Sequence, residues 1–282
     1  MTEPSAQDDN TIHPEDWIIC GRAAVEAVYK ERPQALRKLW ITEENLGVLG
    51  QICHYLADEK RSYSQQTYDR LTRVVRHPNH DGIVAFIDPP LKPQFQVSHL
   101  VDWQKSGEPL LIIDRVKDPL ELGRILRVAV SFNMRRALIT DAPDQAPIDG
   151  AVYSSSQGAL EYIRCYRIGR LVPLFKPMAQ YFLSIGVGGP GASRPKWDKP
   201  LRAPGRAAAL IISDRPEGID KRIVPLCEHR IYIPTQGPVS LAPSENLATL
   251  LSWLTVEGKK GANRGFRARQ AEKKAKKTTK KD

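Results

Sequence analysis

Between residues 109 and 256, short apolar runs of β character alternate with amphipathic helical stretches, and this alternation restricts the fold more than any other feature of the chain. Runs rich in Leu, Ile, Val and Ala at 110–114, 136–140, 162–168, 184–187, 208–213 and 230–233 read as strands. Residues 119–132, 177–183 and 244–254 read as helices, with a single turn at 158–161. Apolar strands joined through helices imply a parallel sheet covered on both faces, and such sheets bind ligands at the carboxyl ends of their strands. The glycine-rich run GVGGPG at 186–191 lacks both the G-x-G-x-x-G spacing and the helix that should follow it, so it is not read as a dinucleotide fingerprint.

A smaller α/β unit precedes this sheet. Residues 21–30 carry Ala24, Val25 and Val28 at helical spacing, 37–42 read as a strand, and 46–58 place Leu49, Ile52, Cys53 and Leu56 on one helical face. A short helix at 65–74 and a buried strand at 82–87 complete it. The expected division is a disordered start at 1–16, a small domain at 17–87, a proline-containing linker at 88–108, a parallel-sheet domain at 109–257 and a tail at 258–282.

Charge is concentrated at the C-terminus. The chain carries a net +10, yet residues 258–282 alone hold eleven Lys or Arg against two acids, which leaves the rest close to neutral. A lysine-rich segment so poor in apolar residues is expected to be disordered when free and to grip phosphates without regard to sequence. With 41% apolar and 26% charged residues and no run of about 18 apolar residues, no membrane span is expected. The N-terminus is polar and acidic rather than shaped like a secretion signal, so the protein is expected to be cytoplasmic. Cys20, Cys53, Cys165 and Cys227 are scattered and read as free thiols; Cys227 and His229 alone make no zinc site, and no metal is expected.

Four segments then come into register. Asp114-Arg-Val-Lys-Asp118-Pro119-Leu-Glu121-Leu-Gly123-Arg-Ile-Leu-Arg127-Val-Ala129 resembles the first motif of the SpoU/TrmH branch of the SPOUT RNA methyltransferases, approximately D-x-V-x-D-P-x-N-x-G-x-I-x-R-T-A. Ser155-Ser156-Gln157-Gly158-Ala159-Leu160 resembles that family's Ser-x-Gly-Ala-Leu segment. Residues 210–218 (LIISDRPEG) and 233–241 (IPTQGPVSL) stand where its second and third motifs stand. In the small unit, 20–27 (CGRAAVEA) and 80–85 (HDGIVA) resemble the two ends of the family's substrate-binding domain. The resemblance implies a small N-terminal α/β RNA-binding domain followed by a SPOUT domain with a C-terminal trefoil knot. It also implies a homodimer, S-adenosyl-L-methionine (AdoMet) as cofactor, and methylation of a ribose 2′-hydroxyl of rRNA or tRNA.

Site residues follow from the same match, and the RNA contacts of the tail and Trp197 from local charge and composition. Arg127, Glu121 and Ser240 are the candidate catalytic residues. Gly186, Gly188, Ile212, Ser213, Asp214, Gly218, Ile233, Gly237, Leu241 and Ala242 are the candidate cofactor contacts. Arg22 and Arg124, with Arg264, Arg267, Arg269, Lys273 and Lys274 of the tail, are the candidate RNA contacts, and Trp197 in a basic loop is a candidate for stacking on a base. An arginine stays protonated, so Arg127 is expected to orient the hydroxyl or a phosphate and stabilise developing negative charge. Leu122, Ile125, Leu126, Ala129 and Val130 form the apolar face of its helix, leaving Arg124, Arg127 and Ser131 outside.

The chain departs from the family pattern at three places. Glu121 replaces the Asn of the first motif and admits two readings: an acidic capping box with Asp118 and Pro119, or a carboxylate acting on the substrate. Arg215-Pro216 interrupts the glycine-rich second motif. Ala242 stands where the third motif ends in Asn, unless the match shifts to Ser244-Glu245-Asn246; both alignments remain open. These departures keep a second function in view, a catalytically inactive RNA-binding or ribosome-assembly member of the same fold.

Overall fold

The computed structural model describes residues 15–188, 191–194, 201, 205–215 and 218–254. The basic tail with Arg264, Arg267, Arg269, Lys273 and Lys274, the loop residue Trp197 and residues 1–14 lie outside the described residues.

The small unit is built from β1 (Trp17–Cys20), α1 (Arg22–Glu31), β2 (Leu36–Ile41), α2 (Gly50–Asp58), β3 (Ser62–Gln65), α3 (Tyr68–Val75) and β4 (Ile83–Ile87). Its four strands lie in the order β1-β4-β2-β3, antiparallel except for the β2–β3 pair. β1 and β3 have no counterpart among the strands expected from sequence, because four residues with a half-buried pattern carry too weak a periodicity. On one face Ala24, Val25 and Val28 of α1 meet Ile52, Cys53 and Leu56 of α2, and on the other Leu71 of α3 covers Trp40 and Phe86.

The stretch expected to be a linker contains α4 (His99–Ser106), which buries Leu100 and Trp103 one turn apart and stops at Gly107 in the left-handed conformation. There follow β5 (Leu110–Ile113), α5 (Pro119–Ser131), β6 (Arg136–Thr140), α6 (Gly150–Ser155), β7 (Arg164–Ile168), α7 (Val172–Met178), β8 (Phe182–Val187), β9 (Ala207–Ile212), β10 (His229–Ile231) and α8, residues 243–254. The six strands form one sheet in the order β10-β8-β9-β5-β6-β7 with every pairing parallel, as the alternation of apolar runs and helices requires. The helix expected at 177–183 is instead α7 at 172–178; Phe182 and Leu183 belong to β8, where alternate residues face opposite sides of the sheet.

That alternation separates two cores. Leu111 and Ile113 of β5, Ala137 and Ile139 of β6, and Leu210 and Ile212 of β9 pack against α5, α6 and α8. Leu110 and Ile112, Leu138, and Ala209 and Ile211 pack against α4 and α7. The first core continues without interruption into the α1 and α2 face of the small unit. At this seam a Cβ on Gly158 would fall 2.3 Å from Ala27 Cβ, and one on Gly150 would fall 2.2 Å from the Ile18 carbonyl oxygen, so both positions need glycine. Arg32 of the small unit donates to both oxygens of Glu161 at 2.7 and 2.8 Å, and the Tyr153 hydroxyl donates to the same carboxylate at 2.7 Å. The two units are thereby joined by apolar contact and by a largely buried ion pair.

Candidate active site

Because all six strands run the same way, their carboxyl ends share one edge, and the order β10-β8-β9 sets the loops after these three strands side by side. The candidate cofactor contacts fall on those loops. Gly188, in the left-handed conformation at the end of β8, donates its N–H to the Ile231 carbonyl at 2.7 Å, and nothing among the described residues lies within 4 Å of where a Cβ would stand. After β9, Ile212 is buried, Ser213 and Asp214 are half-buried, and left-handed Gly218 donates to the Arg215 carbonyl at 2.8 Å. After β10, Ile233, Leu241 and Ala242 are half-buried, whereas Gly237 and Ser240 are exposed. Gly186 is placed differently: an added Cβ would meet Ile219 Cδ1 at 2.4 Å and Cys227 Sγ at 3.2 Å, so its open side is filled by the segment before β10.

α5 carries the other half of the site. Asp118 is its N-cap, accepting from the Leu120 N–H at 2.9 Å, with Pro119 at the first helical position. Of the apolar face, Leu122, Ile125, Leu126 and Ala129 are buried and Val130 is half-buried, while Arg124, Arg127 and Ser131 are exposed. The Arg127 guanidinium makes no hydrogen bond or ion pair with the described residues, so its positive charge is available to a ligand. The Ser-Ser-Gln-Gly segment is held against the same helix, where Gly123 leaves the space that Ser155 fills.

The capping-box reading of Glu121 requires correction. Its buried carboxylate does not bond the Asp118 N–H; Oε1 accepts from the Ser244 N–H at 2.7 Å, and Oε2 faces Arg124 Nη1 at 3.3 Å. The reason lies in α8, which begins with Ala242 in the capping position and Pro243 after it. Alanine offers no oxygen to the first-turn amides, so Glu121 supplies one from another element, and the anion sits at the positive end of the helix. Glu245 completes the arrangement by accepting from the Ala242 N–H at 2.8 Å, the reciprocal half of a capping box. Asn246 donates its side-chain amide to the Leu241 carbonyl at 3.1 Å. The first motif and the entrance to α8 are thus bonded directly. Sequence reasoning missed Ser244 and Glu245 as partners; Ala-Pro-Ser-Glu has capping-box spacing, but nothing local names a carboxylate 123 residues away.

Arg215, which interrupts the second motif, lies 3.9 Å from Asp220, and the Asp220 carboxyl is held well below the usual carboxylate range, chiefly by Arg222. Arg22 pairs with Glu26 on the exposed face of α1 at 2.6 Å. Cys20, Cys53, Cys165 and Cys227 form no disulfide, and among the described residues no group of three or more His, Cys, Asp or Glu side chains could hold a metal ion. No described helix is long and apolar enough to cross a membrane.

Comparison with known proteins agrees with this geometry. Residues 18–93 match the family described as RNA 2′-O ribose methyltransferase substrate binding, and residues 108–249 match the SpoU rRNA Methylase family. An uncharacterized tRNA/rRNA methyltransferase of Haemophilus influenzae is 26% identical over 150 residues, which is 53% of this chain but only 42% of that protein. The 23S rRNA (guanosine-2′-O-)-methyltransferase RlmB of Pseudomonas syringae is 26% identical over 224 residues, covering 79% of this chain and 88% of its own length. Among solved structures, the SpoU methyltransferase AviRb of Streptomyces viridochromogenes in complex with AdoMet aligns over 86% of this chain and 90% of its own, with a TM-score of 0.63 and 16% identity; it shares the fold.

Proposed function

The chain belongs to the SpoU rRNA methylase family, and we propose that it is an AdoMet-dependent RNA methyltransferase acting on a ribose 2′-hydroxyl of rRNA or tRNA. The observation that carries this reading is the exposed Arg127 on α5, unengaged among the described residues, on the helix whose first turn is bonded through Glu121 to the entrance of α8. The loops after β8, β9 and β10 fit AdoMet. They are contiguous, and Gly188 and Gly237 front space that no described residue fills. Gly188, Ser213, Asp214, Gly218, Ile233, Leu241 and Ala242 would hold it. AdoMet supplies an electrophilic methyl group on a sulfonium centre.

The residues of the chain do the rest. A guanidinium cannot accept the hydroxyl proton, so that proton passes to solvent water, while Arg127 orients the 2′-oxygen or its neighbouring phosphate and stabilises the negative charge that grows on that oxygen. Glu121, with its oxygens directed at the Ser244 amide and Arg124, acts by holding the third-motif loop in place. Ser240 is exposed on that loop and would meet the ribose, and most of the rate gain would come from alignment. Arg22, Arg124 and the basic tail add affinity for RNA. The knotted C-terminal topology and the homodimer belong to this proposal as properties of the family.

The occupation of Glu121 and Arg215 by partners within the protein favours one alternative, an RNA-binding member without methyl transfer. Calorimetry with AdoMet and S-adenosylhomocysteine separates the two: saturable binding at about one per subunit, with dissociation constants near the micromolar range (about −8 kcal/mol), supports the enzyme, and no binding by folded protein supports the alternative. In the enzyme, Arg127→Ala is expected to abolish nearly all methyl transfer while RNA affinity is mostly kept; a mutant of comparable activity removes the assignment.

A further inference from the structure

The loop after β9 carries a guanidinium among its candidate cofactor contacts. Arg215 stands between Ser213, Asp214 and Gly218, and its main chain shapes the turn, since its carbonyl accepts from the Gly218 N–H at 2.8 Å. Its side chain is only 23% exposed, so water and salt screen the charge poorly. AdoMet carries a sulfonium and an ammonium against one carboxylate, a net positive charge. A bare guanidinium on this turn would therefore repel the cofactor that the loop is read to hold.

Asp220 meets that charge, and it is a fixed anion. Arg222 grips it twice over: its N–H donates to Oδ1 at 2.9 Å, and its guanidinium donates from Nε to Oδ1 at 3.0 Å and from Nη2 to Oδ2 at 2.8 Å. The Asp220 carbonyl accepts from the Ile223 and Val224 N–H groups at 2.8 and 3.1 Å, which fixes the backbone as well. Beside it Ile219 is buried against the end of β8, in the space that Gly186 leaves. The Arg222 side chain is 71% exposed, so it holds the carboxylate in place while solvent screens its own charge.

The rest of the Asp220 field falls on two guanidinium groups that are withdrawn from water. Arg215 Nη1 lies 3.9 Å from Oδ2, and Arg115 Nη2, from the first motif after β5, lies 3.8 Å from the same oxygen. Arg115 has a second acid, with Nη1 3.6 Å from Asp144 Oδ1. Asp114 is buried beside them with Oδ1 accepting from the Thr140 hydroxyl at 2.9 Å, and the fields of Arg115 and Arg215 oppose the upward push of burial on its carboxyl. Asp220 is thus the carboxylate that the loops after β5 and β9 share.

We propose that Asp220 is a positioning residue of the cofactor site: it holds Arg215 to the turn at 219–222 and offsets its charge, so that a cationic cofactor can lie against Ser213, Asp214 and Gly218. The inference rests on the reading of the protein as AdoMet-dependent. Asp220 itself meets no reacting atom and acts through Arg215.

The test uses the full chain and calorimetry with AdoMet and with S-adenosylhomocysteine, which lacks the methyl group and the sulfonium charge. Asp220→Asn keeps the size of the side chain and removes the anion. One unit of charge beside a poorly solvated site is worth on the order of tenfold in a binding constant. AdoMet affinity is therefore expected to fall about tenfold, and S-adenosylhomocysteine affinity by less than about threefold. Adding Arg215→Gln to Asp220→Asn removes the excess cation and should return the ratio of the two affinities to its wild-type value. A loop that had only lost its shape would lose both ligands equally, so an equal loss, or a wild-type ratio in folded Asp220→Asn, overturns the proposal. Arg215→Gln alone keeps the question decidable where Asp220→Asn does not fold: it leaves Asp220 anchored by Arg222 and should shift the ratio in favour of AdoMet, and a ratio at or below the wild-type value overturns the proposal. Wild-type protein that binds both ligands, with variants that keep its ratio, refutes the role of Asp220 alone. Folded wild-type protein that binds neither ligand refutes the functional reading beneath it.

Discussion

Replacing Glu121 tests the bond between the first motif and α8 most directly. In Glu121→Ala the Ser244 N–H, buried in the first turn of α8, is deprived of its carboxylate acceptor, and Ala242 has no side chain to take over. An unsatisfied buried donor costs about 1–3 kcal/mol, and removing the anion from the helix N-terminus adds about 0.3–1 kcal/mol. The Arg124 pairing adds almost nothing, because that side chain is 58% exposed and the pair is screened by water. The expected loss is about 2–3 kcal/mol, or roughly 4–12 °C in the melting midpoint for a folded body of this size. Glu121→Gln keeps an acceptor oxygen and loses only the charge, so its expected cost is about 1 kcal/mol or less. Differential scanning calorimetry of the cofactor-free protein reads both, and hydrogen exchange at the Ser244 amide should show protection in the wild type and Gln variant but not in the Ala variant. An Ala variant that melts with the wild type would refute the structural role. A Gln variant of wild-type stability with no methyl transfer would return Glu121 to direct chemistry on the substrate.

Three further outcomes follow from buried polar groups. His80 is fully buried and neutral, its Nδ1 accepting from the Gly82 N–H at 3.1 Å, so Nε2 carries the proton toward the Thr72 hydroxyl at 2.9 Å. Burial lowers its folded-state pKa below the usual 6.5, so the unfolded chain binds the proton first and stability should fall as pH drops through about 6.5; urea melts of His80→Gln should lack that component, and an unchanged pH profile would count against it. Burial pushes the Cys165 and Cys227 thiols up to about 12, so at pH 8 only about one in ten thousand is thiolate. Iodoacetamide should therefore modify them only after denaturation, with rates rising about tenfold per pH unit; rapid labelling of the native chain contradicts this. Finally, Glu161→Ala leaves Arg32 and the Tyr153 hydroxyl without their shared acceptor, with an expected cost of about 3 kcal/mol in thermal unfolding. A loss below about 1 kcal/mol would mean that apolar contact alone joins the two units.

The parallel sheet was legible because its strands are buried on both faces: a run such as Leu110–Ile113 must be apolar throughout, and alternate residues feed two different cores. The polar face of α5 was legible for the related reason that the helical period separates Arg124 and Arg127 from Leu122, Ile125 and Leu126. α6 was not, since Tyr153-Ser-Ser-Ser156 shows no helical periodicity; it is held by the Asp149 side chain, which accepts from the Ala151 and Val152 amides, and by packing on β1. α4 was hidden by the prolines before it and by its small size, with only Leu100 and Trp103 to mark a buried side.

The candidate site divides in the same way. Sequence could show that Glu121 stands at the start of a helix, and local rules then favour Asp118 as its partner. The carboxylate bonds α8 instead, because Asp118 already caps α5 through Leu120 while Ala242 leaves α8 uncapped. The acid at 121 and the alanine at the head of α8 are therefore physically complementary: the capping oxygen missing at 242 is supplied by the carboxylate at 121. This complementarity makes a joint prediction that neither position makes alone. Restoring an oxygen at the cap with Ala242→Ser should offset part of the loss in Glu121→Ala, so the stability costs of the two substitutions should not add. If the double variant is as unstable as Glu121→Ala alone, the carboxylate matters for something other than the end of α8.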